Sequence, residues 1–224
     1  MSNAVDSTLR LYTFWRSSAA YRVRIALHLK GLAFDAVPKR FAAGEHRQPD
    51  YLGLNPQGLI PALQTSHGVL AQSLAIIEFL DELHPNPALL PRDPFARAQV
   101  RAMAQAIACD IHPINNLRVL SYLRGPLGHG EPQIQEWVRH WIAAGFESLE
   151  VLARRHSKDG RHLFGDTVTL ADLCFVPQMY NARRFGCELD HYPTLLAIDG
   201  NLCGVPAFIA AAPEAQADAE LAPR

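Results

Sequence analysis

Leu9–Phe14 sets apolar against polar side chains along a run of strand-forming residues and predicts a strand. The pattern breaks at Ser17-Ser18 and takes a helical period over Ser18–Lys30, stopping before Gly31. Ala33–Val37 reads as a second strand, followed by a polar, irregular segment through Asn55-Pro56. Pro61–Thr65 and Val69–Ala71 read as two short strands joined around His67-Gly68, and Ser73–Leu83 as an amphipathic helix opening at Ser73. This βαβ–ββα order predicts a small mixed sheet with helices packed on it.

Pro85-Asn86-Pro87 through Pro91-Arg92-Asp93-Pro94 has the composition of a linker, because so many prolines cannot continue a helix. Beyond it the strand signals fade. Helical periodicity covers Phe95–Leu123, Glu131–Arg155 and Thr169–Phe185, with shorter stretches after Pro193 and Pro206. The expected organisation is an α/β domain over 8–84, a linker over 85–92, an all-helical domain over 93–213 and an Ala-rich, loosely attached tail over 214–224. Thr169-Leu170-Ala171-Asp172 has the spacing of a capping box, with Val168 and Leu173 placed for a hydrophobic staple. That is a folding signal with no catalytic role.

Hydrophobic residues at 49% and charged residues at 19% place the chain among globular proteins. A formal net charge of −1 without blocks of like charge argues against nucleic-acid or anionic-membrane partners. No apolar run reaches membrane-spanning length and the first residues lack the features of a signal peptide, so the cytosol is the expected compartment. Cys109, Cys174, Cys187 and Cys203 form neither a CxxC pair nor a metal-ligand spacing and read as free thiols. No metal site is expected.

Four segments offer chemistry. Ser17 and Ser18 stand at a strand-to-helix junction, where a serine caps the helix and free N–H groups favour an anion or a thiolate. Pro61 at a strand start loses a ladder donor, and a cis Ile60–Pro61 bond would turn the Ile60 backbone toward an extended peptide. Gln72-Ser73 opens a helix with an amide, a hydroxyl and free N–H groups. Cys109–Arg118 carries Pro113 and two asparagines inside a helical pattern, with His112 and Asn116 four apart on one expected face and Asn115 three before Arg118. A kinked helix bearing His, Asn and Arg is a local conflict of the kind found at working sites. Arg183 and Arg184 suit the end of their helix by charge alone, and one of them is free in principle to turn inward.

These residues resemble the zeta-class glutathione transferases over nearly the whole chain. The likeness is carried by Arg16-Ser17-Ser18-(x)3-Arg22-Val23-Arg24-Ile25-Ala26-Leu27, Leu54-Asn55-Pro56, Ile60-Pro61, Gln72-Ser73-Leu74-Ala75-Ile76-Ile77-Glu78, His112–Arg118, Thr169–Leu173, Val176-Pro177-Gln178 and Asn181–Phe185. It implies a thioredoxin-like N-terminal domain, a helical C-terminal domain, a cytoplasmic homodimer and glutathione bound between the domains. By motif, the glutathione thiol falls to Ser17, Ser18, Ala19, Ala20, Tyr21 and Arg22. The Ile60–Pro61 backbone takes the cysteinyl unit, and Gln72 and Ser73 the γ-glutamyl end. His46 lines the site, and His112, Asn116, Leu117 and Arg118 close it. Ser17, Ser18 and Arg16 are the expected catalytic residues, and Arg16, Arg118 and Arg184 the expected grips on an acidic substrate. Many members carry cysteine at the position of Ala19, so the chemistry implied here uses only glutathione's own thiol.

The implied activity is cis–trans isomerisation of a maleyl diacid by thiolate addition, bond rotation and elimination. Maleylacetoacetate, from tyrosine and phenylalanine breakdown, is the first expectation and maleylpyruvate the alternative. General glutathione transfer or peroxidase activity is a further alternative. A non-enzymatic binding domain of the same fold ranks last, because such a domain is expected to lose the thiol-facing serine or the Gln72-Ser73 pair, and both are present.

Overall fold

The computed structural model describes residues 9–219. They divide into two compact units, residues 9–87 with 206–219, and residues 88–205.

The first unit is built on β1 (Leu9–Thr13), β2 (Phe34–Pro38), β3 (Ala62–Thr65) and β4 (Gly68–Ala71), in the order β2-β1-β3-β4. β1 pairs parallel to β2 with Tyr12 opposite Val37, and antiparallel to β3 with Tyr12 opposite Ala62. β3 returns through a tight turn to β4, Ala62 opposite Ala71. Leu11 and Leu63 face each other fully buried. The helices α1 (Ser18–Leu29) and α3 (Ser73–Leu83) pack together and bury Val23, Ile25 and Leu27 with Ile76, Ile77 and Leu80. This is the thioredoxin-like arrangement expected of the first part of the chain.

Two features depart from the sequence pattern. Inside the segment read as irregular lies the helix α2 (Pro49–Leu54), six residues with proline in its first turn. A single buried position, Tyr51, gives it no periodicity to detect. Of the tail expected to be loose over 214–224, residues 214–219 are tied down and the rest lies outside the described residues: after α9 (Pro206–Ala211), residues 213–219 form two 3₁₀ turns. Asp218 Oδ2 accepts the Trp15 N–H at 2.9 Å, and Gln216 Nε2 donates to the Ala210 and Ala212 carbonyls. Its polar composition reflects side chains spent on backbone partners, which composition alone does not distinguish from a solvated tail. α9 packs on α1, Tyr21 Oη donating to the Phe208 carbonyl.

The second unit is helical: α4 (Pro94–Gln105), α5 (Leu117–Arg124), α6 (Glu131–His156), α7 (Leu170–Arg184) and α8 (Pro193–Leu202). Its core is formed by Val138, Ile142, Phe146 and Leu149 of α6 with Leu173, Phe175 and Met179 of α7. The expected capping box is present. Asp172, fully buried, accepts from the N–H groups of Thr169 and Leu163, both at 2.8 Å. The single long helix expected over Phe95–Leu123 is replaced by α4, a π turn (Ala106–Ile111), a 3₁₀ turn (Pro113–Asn115) and α5. The π register, with His112 N–H on the Ile107 carbonyl, shifts the ladder just ahead of Pro113, whose ring an unbroken α-helix would not accommodate. His112 itself stays helical; the chain leaves helical geometry at Asn116, at φ −73° and ψ 152°.

Candidate active site

The sheet register gathers the chemistry of the first unit. β1 and the parallel β2 both end at the same edge, where β3 begins and β4 finishes. That edge therefore carries Phe14–Ser18 after β1, Ile60-Pro61 before β3 and Gln72-Ser73 after β4. The Ile60–Pro61 bond is cis, and Ile60 lies outside the ladder. Beneath them Tyr12, Ala20, Tyr51, Ile60 and Ala62 form one apolar cluster, with Phe14 and Phe41 packed against it.

Ser17, Gln72 and Ser73 are each held by a specific contact, and Ser18 is buried at the start of α1. Ser17, with extended backbone at φ −69° and ψ 115°, caps α1: its Oγ accepts the Ala20 N–H at 3.2 Å. The hydroxyl proton is left to point elsewhere, because the cap uses only the oxygen. Gln72 adopts φ 72°, the one non-glycine positive φ among the described residues, and its amide donates to Gln57 Oε1 at 2.8 Å. A side chain in that region is strained, and such strain gathers at ligand clamps. Ser73 Oγ accepts from the buried Arg22 at 3.3 Å, tying the start of α3 to α1. Tyr51 and Asn55 both donate to the Leu59 carbonyl, at 2.6 and 2.7 Å, fixing the approach to Ile60. Burial pushes the Tyr51 phenol up to about 12, so it donates throughout the working range.

His46 is buried against Phe41 in a stacked contact at 4.1 Å, and Phe41 in turn lies 5.0 Å from Phe14. Its Nδ1 has no hydrogen-bond partner among the described residues. Burial, and secondarily Arg47, lowers its pKa below the ordinary 6.5, so the ring is neutral at physiological pH. Arg16 is exposed, its guanidinium 5.1 Å from the Trp15 ring.

In the second unit the predicted cluster follows a different geometry from the one the spacing suggested. His112 and Asn116 do not share a helix face, because the 3₁₀ turn separates them. Asn116 instead caps α5, and Asn115 is buried with its amide on the Ile111 carbonyl at 3.2 Å. Leu117 and Arg118 are exposed on the first turn of α5. Trp137 Nε1 donates to the Ile114 carbonyl at 3.0 Å and pins the broken segment to α6. At the end of α7 the two arginines separate: Arg183 pairs with the buried Asp199, while Arg184 is exposed with its guanidinium 4.5 Å from the Phe185 ring. A cleft of about 880 Å³ between α6 and residues 186–192 contains none of the predicted site residues. Glu136, Glu147 and Glu188 outnumber Arg139 along it, the wrong sign for a diacid.

Residues 7–82 match the glutathione S-transferase N-terminal domain. The maleylacetoacetate isomerase of Pseudomonas aeruginosa is 47% identical over 213 residues, covering 94% of this chain and 98% of the relative. The holo structure of a maleylpyruvate isomerase, a bacterial glutathione transferase of the zeta class, superposes with a TM-score of 0.91 at 49% identity, covering 93% of this chain and 99% of the other. The chain is a zeta-class glutathione transferase. A solved maleylacetoacetate isomerase from Methylobacterium extorquens AM1, with malonate and glutathione bound, gives a TM-score of 0.90 at 38% identity, covering 96% and 100%.

Within this transferase the motif residues fall into two groups. Ser17, Ser18, Ala19, Ile60, Pro61, Gln72, Ser73 and His46 stand at the sheet edge or beside it. Ala20, Tyr21 and Arg22 are buried: Ala20 belongs to the apolar cluster, Tyr21 donates to the Phe208 carbonyl of α9, and Arg22 reaches the edge through Ser73 Oγ. Sequence reasoning passed over Gln57, Tyr51 and Asn55, which support that edge. Only the Leu54-Asn55-Pro56 motif hinted at them. Among the described residues no group of His, Cys, Asp and Glu could hold a metal, and no helix is long and apolar enough to cross a membrane.

Proposed function

We propose that this chain is a glutathione-dependent cis–trans isomerase of a maleyl diacid, with maleylacetoacetate as the first substrate and maleylpyruvate as the second reading. The observation that carries it is the convergence of the capped Ser17 turn, the Ile60 backbone and the strained Gln72-Ser73 pair on one sheet edge. The relatives' activities set the reaction class.

The residues present fit glutathione. The thiolate of the tripeptide meets the N-terminus of α1 and its γ-glutamyl carboxylate that of α3, both of which favour negative charge. His46 offers a buried, neutral ring whose Nδ1 has no partner among the described residues. Gln72 and Ser73 would hold the γ-glutamyl end, the Ile60 backbone the cysteinyl unit, and His112, Asn116, Leu117 and Arg118 would complete the binding. Bound glutathione supplies a thiol that adds reversibly to the maleyl double bond, frees it to rotate and is released unchanged.

The protein's part is to bias charge. A free thiol with a pKa near 8.5 is only a few per cent ionised at neutral pH. Ser17 Oγ, already accepting from Ala20, donates its proton toward the sulfur, and the α1 N-terminus adds its partial positive charge. Each unit of pKa lowering takes about 1.4 kcal/mol. A hydrogen bond to a charged group contributes roughly 1.5–3 kcal/mol, so one hydroxyl accounts for one to two units. Arg16, Arg118 and Arg184 grip the carboxylates and the negative charge that develops on the substrate oxygen. Arginine suits this role because its fork binds carboxylates through paired donors. Arg183 is committed to Asp199 and takes no part.

The purified protein, assayed with both maleyl substrates with and without glutathione, decides the matter. The expected result is fumaryl product only when glutathione is present, and faster with maleylacetoacetate. Product formation without glutathione would reject the proposal. A cytosolic homodimer completes it; Phe95, 74% exposed on α4, is an apolar side chain that a subunit contact would bury.

A further inference from the structure

Arg24 lies nearly two turns into α1 and is fully buried, yet every nitrogen of its guanidinium is engaged. Nη1 donates to Thr13 Oγ1 at 3.0 Å and to the Phe14 carbonyl at 3.3 Å, and Nη2 to the Trp15 carbonyl at 2.9 Å. Nε donates to the Ala211 carbonyl at the end of α9, at 3.0 Å. The Trp15 N–H is taken by Asp218 Oδ2 at 2.9 Å, and the Phe14 carbonyl also receives the Ser17 N–H at 3.0 Å. Both peptide groups leading into the Ser17 turn are therefore clamped, from α1 on one side and from the C-terminal segment on the other.

A strand-to-helix connection is ordinarily among the more mobile parts of a fold. This one has no such freedom. The trans peptide sets C=O and N–H on opposite sides, so drawing the Trp15 carbonyl inward to Arg24 aims the Arg16 N–H outward. Ser17 follows at once, and its Oγ is useful to a thiolate only at one position. Burial lowers the Arg24 pKa to about 10, opposed by Asp218 and Tyr21, which leaves the guanidinium charged at neutral pH.

We propose that Arg24 and Asp218 are positioning residues for thiol activation: together they fix the Phe14–Ser17 turn so that Ser17 Oγ and the outward N–H groups meet the glutathione sulfur. The C-terminal segment is then a working part of the thiol site, although it enters the sequence about 200 residues later. This rests on the reading of Ser17 as the group that supports the thiolate.

The test uses the full-length protein with glutathione as probe. The pKa of the bound thiol is read from thiolate ultraviolet absorbance against pH, beside kcat, KM and glutathione affinity. Asp218→Ala is expected to raise the bound-thiol pKa by about half to one unit and to lower kcat about tenfold, the scale of a small misplacement. Glutathione affinity should stay within about twofold, since the Gln72-Ser73 end is untouched. Asp218→Asn keeps an acceptor oxygen and should retain most of both quantities. Arg24→Lys loses the fork and should exceed Asp218→Ala in effect; if that variant does not fold, the Asp218 pair still decides. A wild-type thiol pKa and kcat in Asp218→Ala would overturn the proposal, as would a loss of stability with the thiol pKa unmoved. Ser17→Ala, measured alongside, separates the two claims. If Ser17→Ala moves the thiol pKa and Asp218→Ala does not, the clamp fails alone. If Asp218→Ala moves it and Ser17→Ala does not, the Ser17 reading fails and the clamp acts through the N–H groups.

Discussion

Gly145 stands in the middle of α6 where the helix meets the π turn that precedes His112. A Cβ built at Gly145 would lie 2.2 Å from Ile111 Cδ1 and 2.4 Å from its Cγ1, far inside contact distance. Ile111 is 2% exposed, so it has no solvent to retreat into. Two effects compete in Gly145→Ala. Alanine gains roughly 0.5–1 kcal/mol of helix propensity over glycine. Overpacking a closed core costs typically about 1–3 kcal/mol. Two Ile111 atoms overlap the new methyl, so rotating the side-chain end alone gives no relief. The cost falls in the upper half of its range, leaving a net loss of about 1–2 kcal/mol. At roughly 2–4 °C per kcal/mol for a chain of this size, melting should drop by several degrees. Any relief must come from the Ala106–Ile111 backbone, which carries His112, so kcat/KM should fall with it. Thermal unfolding and steady-state kinetics on Gly145→Ala, Ile111→Ala and the double variant form the cycle. The double variant should be more stable than the sum of the singles predicts, by about 1 kcal/mol or more. Strict additivity, or a stabilised Gly145→Ala, would refute the argument that this glycine exists for close approach.

Ser17→Ala should raise the bound-thiol pKa by about one to two units while costing only about 1 kcal/mol of stability for the lost cap, checked by thiolate absorbance and denaturant unfolding. Asp172→Ala strips the acceptor from the N–H groups of Leu163 and Thr169 and should destabilise by about 2–5 kcal/mol in denaturant unfolding with little effect on glutathione affinity. Arg184→Ala should lower kcat/KM for the diacid about ten- to a hundredfold, with partial rescue by Arg184→Lys and glutathione affinity held within a few fold by calorimetry. A joint collapse of affinity and turnover would make Arg184 structural. His46 and His28 both have pKa values lowered by burial below 6.5, so the unfolded chain binds more protons than the folded one as pH falls past that value. Their share of stability is therefore complete above about pH 6.5 and lost as pH drops toward the folded pKa, and His46→Gln should flatten the dependence of the urea midpoint on pH between 5 and 7.

What the chain disclosed beforehand divides along a physical line. Local patterns gave β1, α1 and α3, with the Ser73–Leu83 boundaries reproduced, because caps and amphipathic spacing are written in neighbouring residues. The Thr169–Asp172 box was legible for the same reason. Pro113 and the two asparagines marked a disturbed helix, but not its form. The broken segment packs against Gly145 through Ile111 and is pinned by Trp137 through Ile114, long-range contacts that the neighbouring residues do not announce. The tail defeated composition because Asp218 finds its partner at Trp15, across most of the sequence. The candidate site was legible where the resemblance supplied motifs, and the register brings three of their segments, at Ser17, Ile60 and Gln72-Ser73, to one edge. Gln72 carries its meaning in a backbone angle, and Asn55 and Tyr51 in their shared hold on the Leu59 carbonyl, neither of which residue type reveals.

The central claim is that glutathione is catalytic and returns unchanged. Its most direct test counts free glutathione before and after many turnovers of a maleyl substrate, with fumaryl product followed in the same vessel. The account predicts product in large excess over glutathione and no loss of thiol. Loss of one thiol per substrate consumed, with a conjugate in place of the fumaryl product, would contradict it and make this chain an ordinary conjugating transferase.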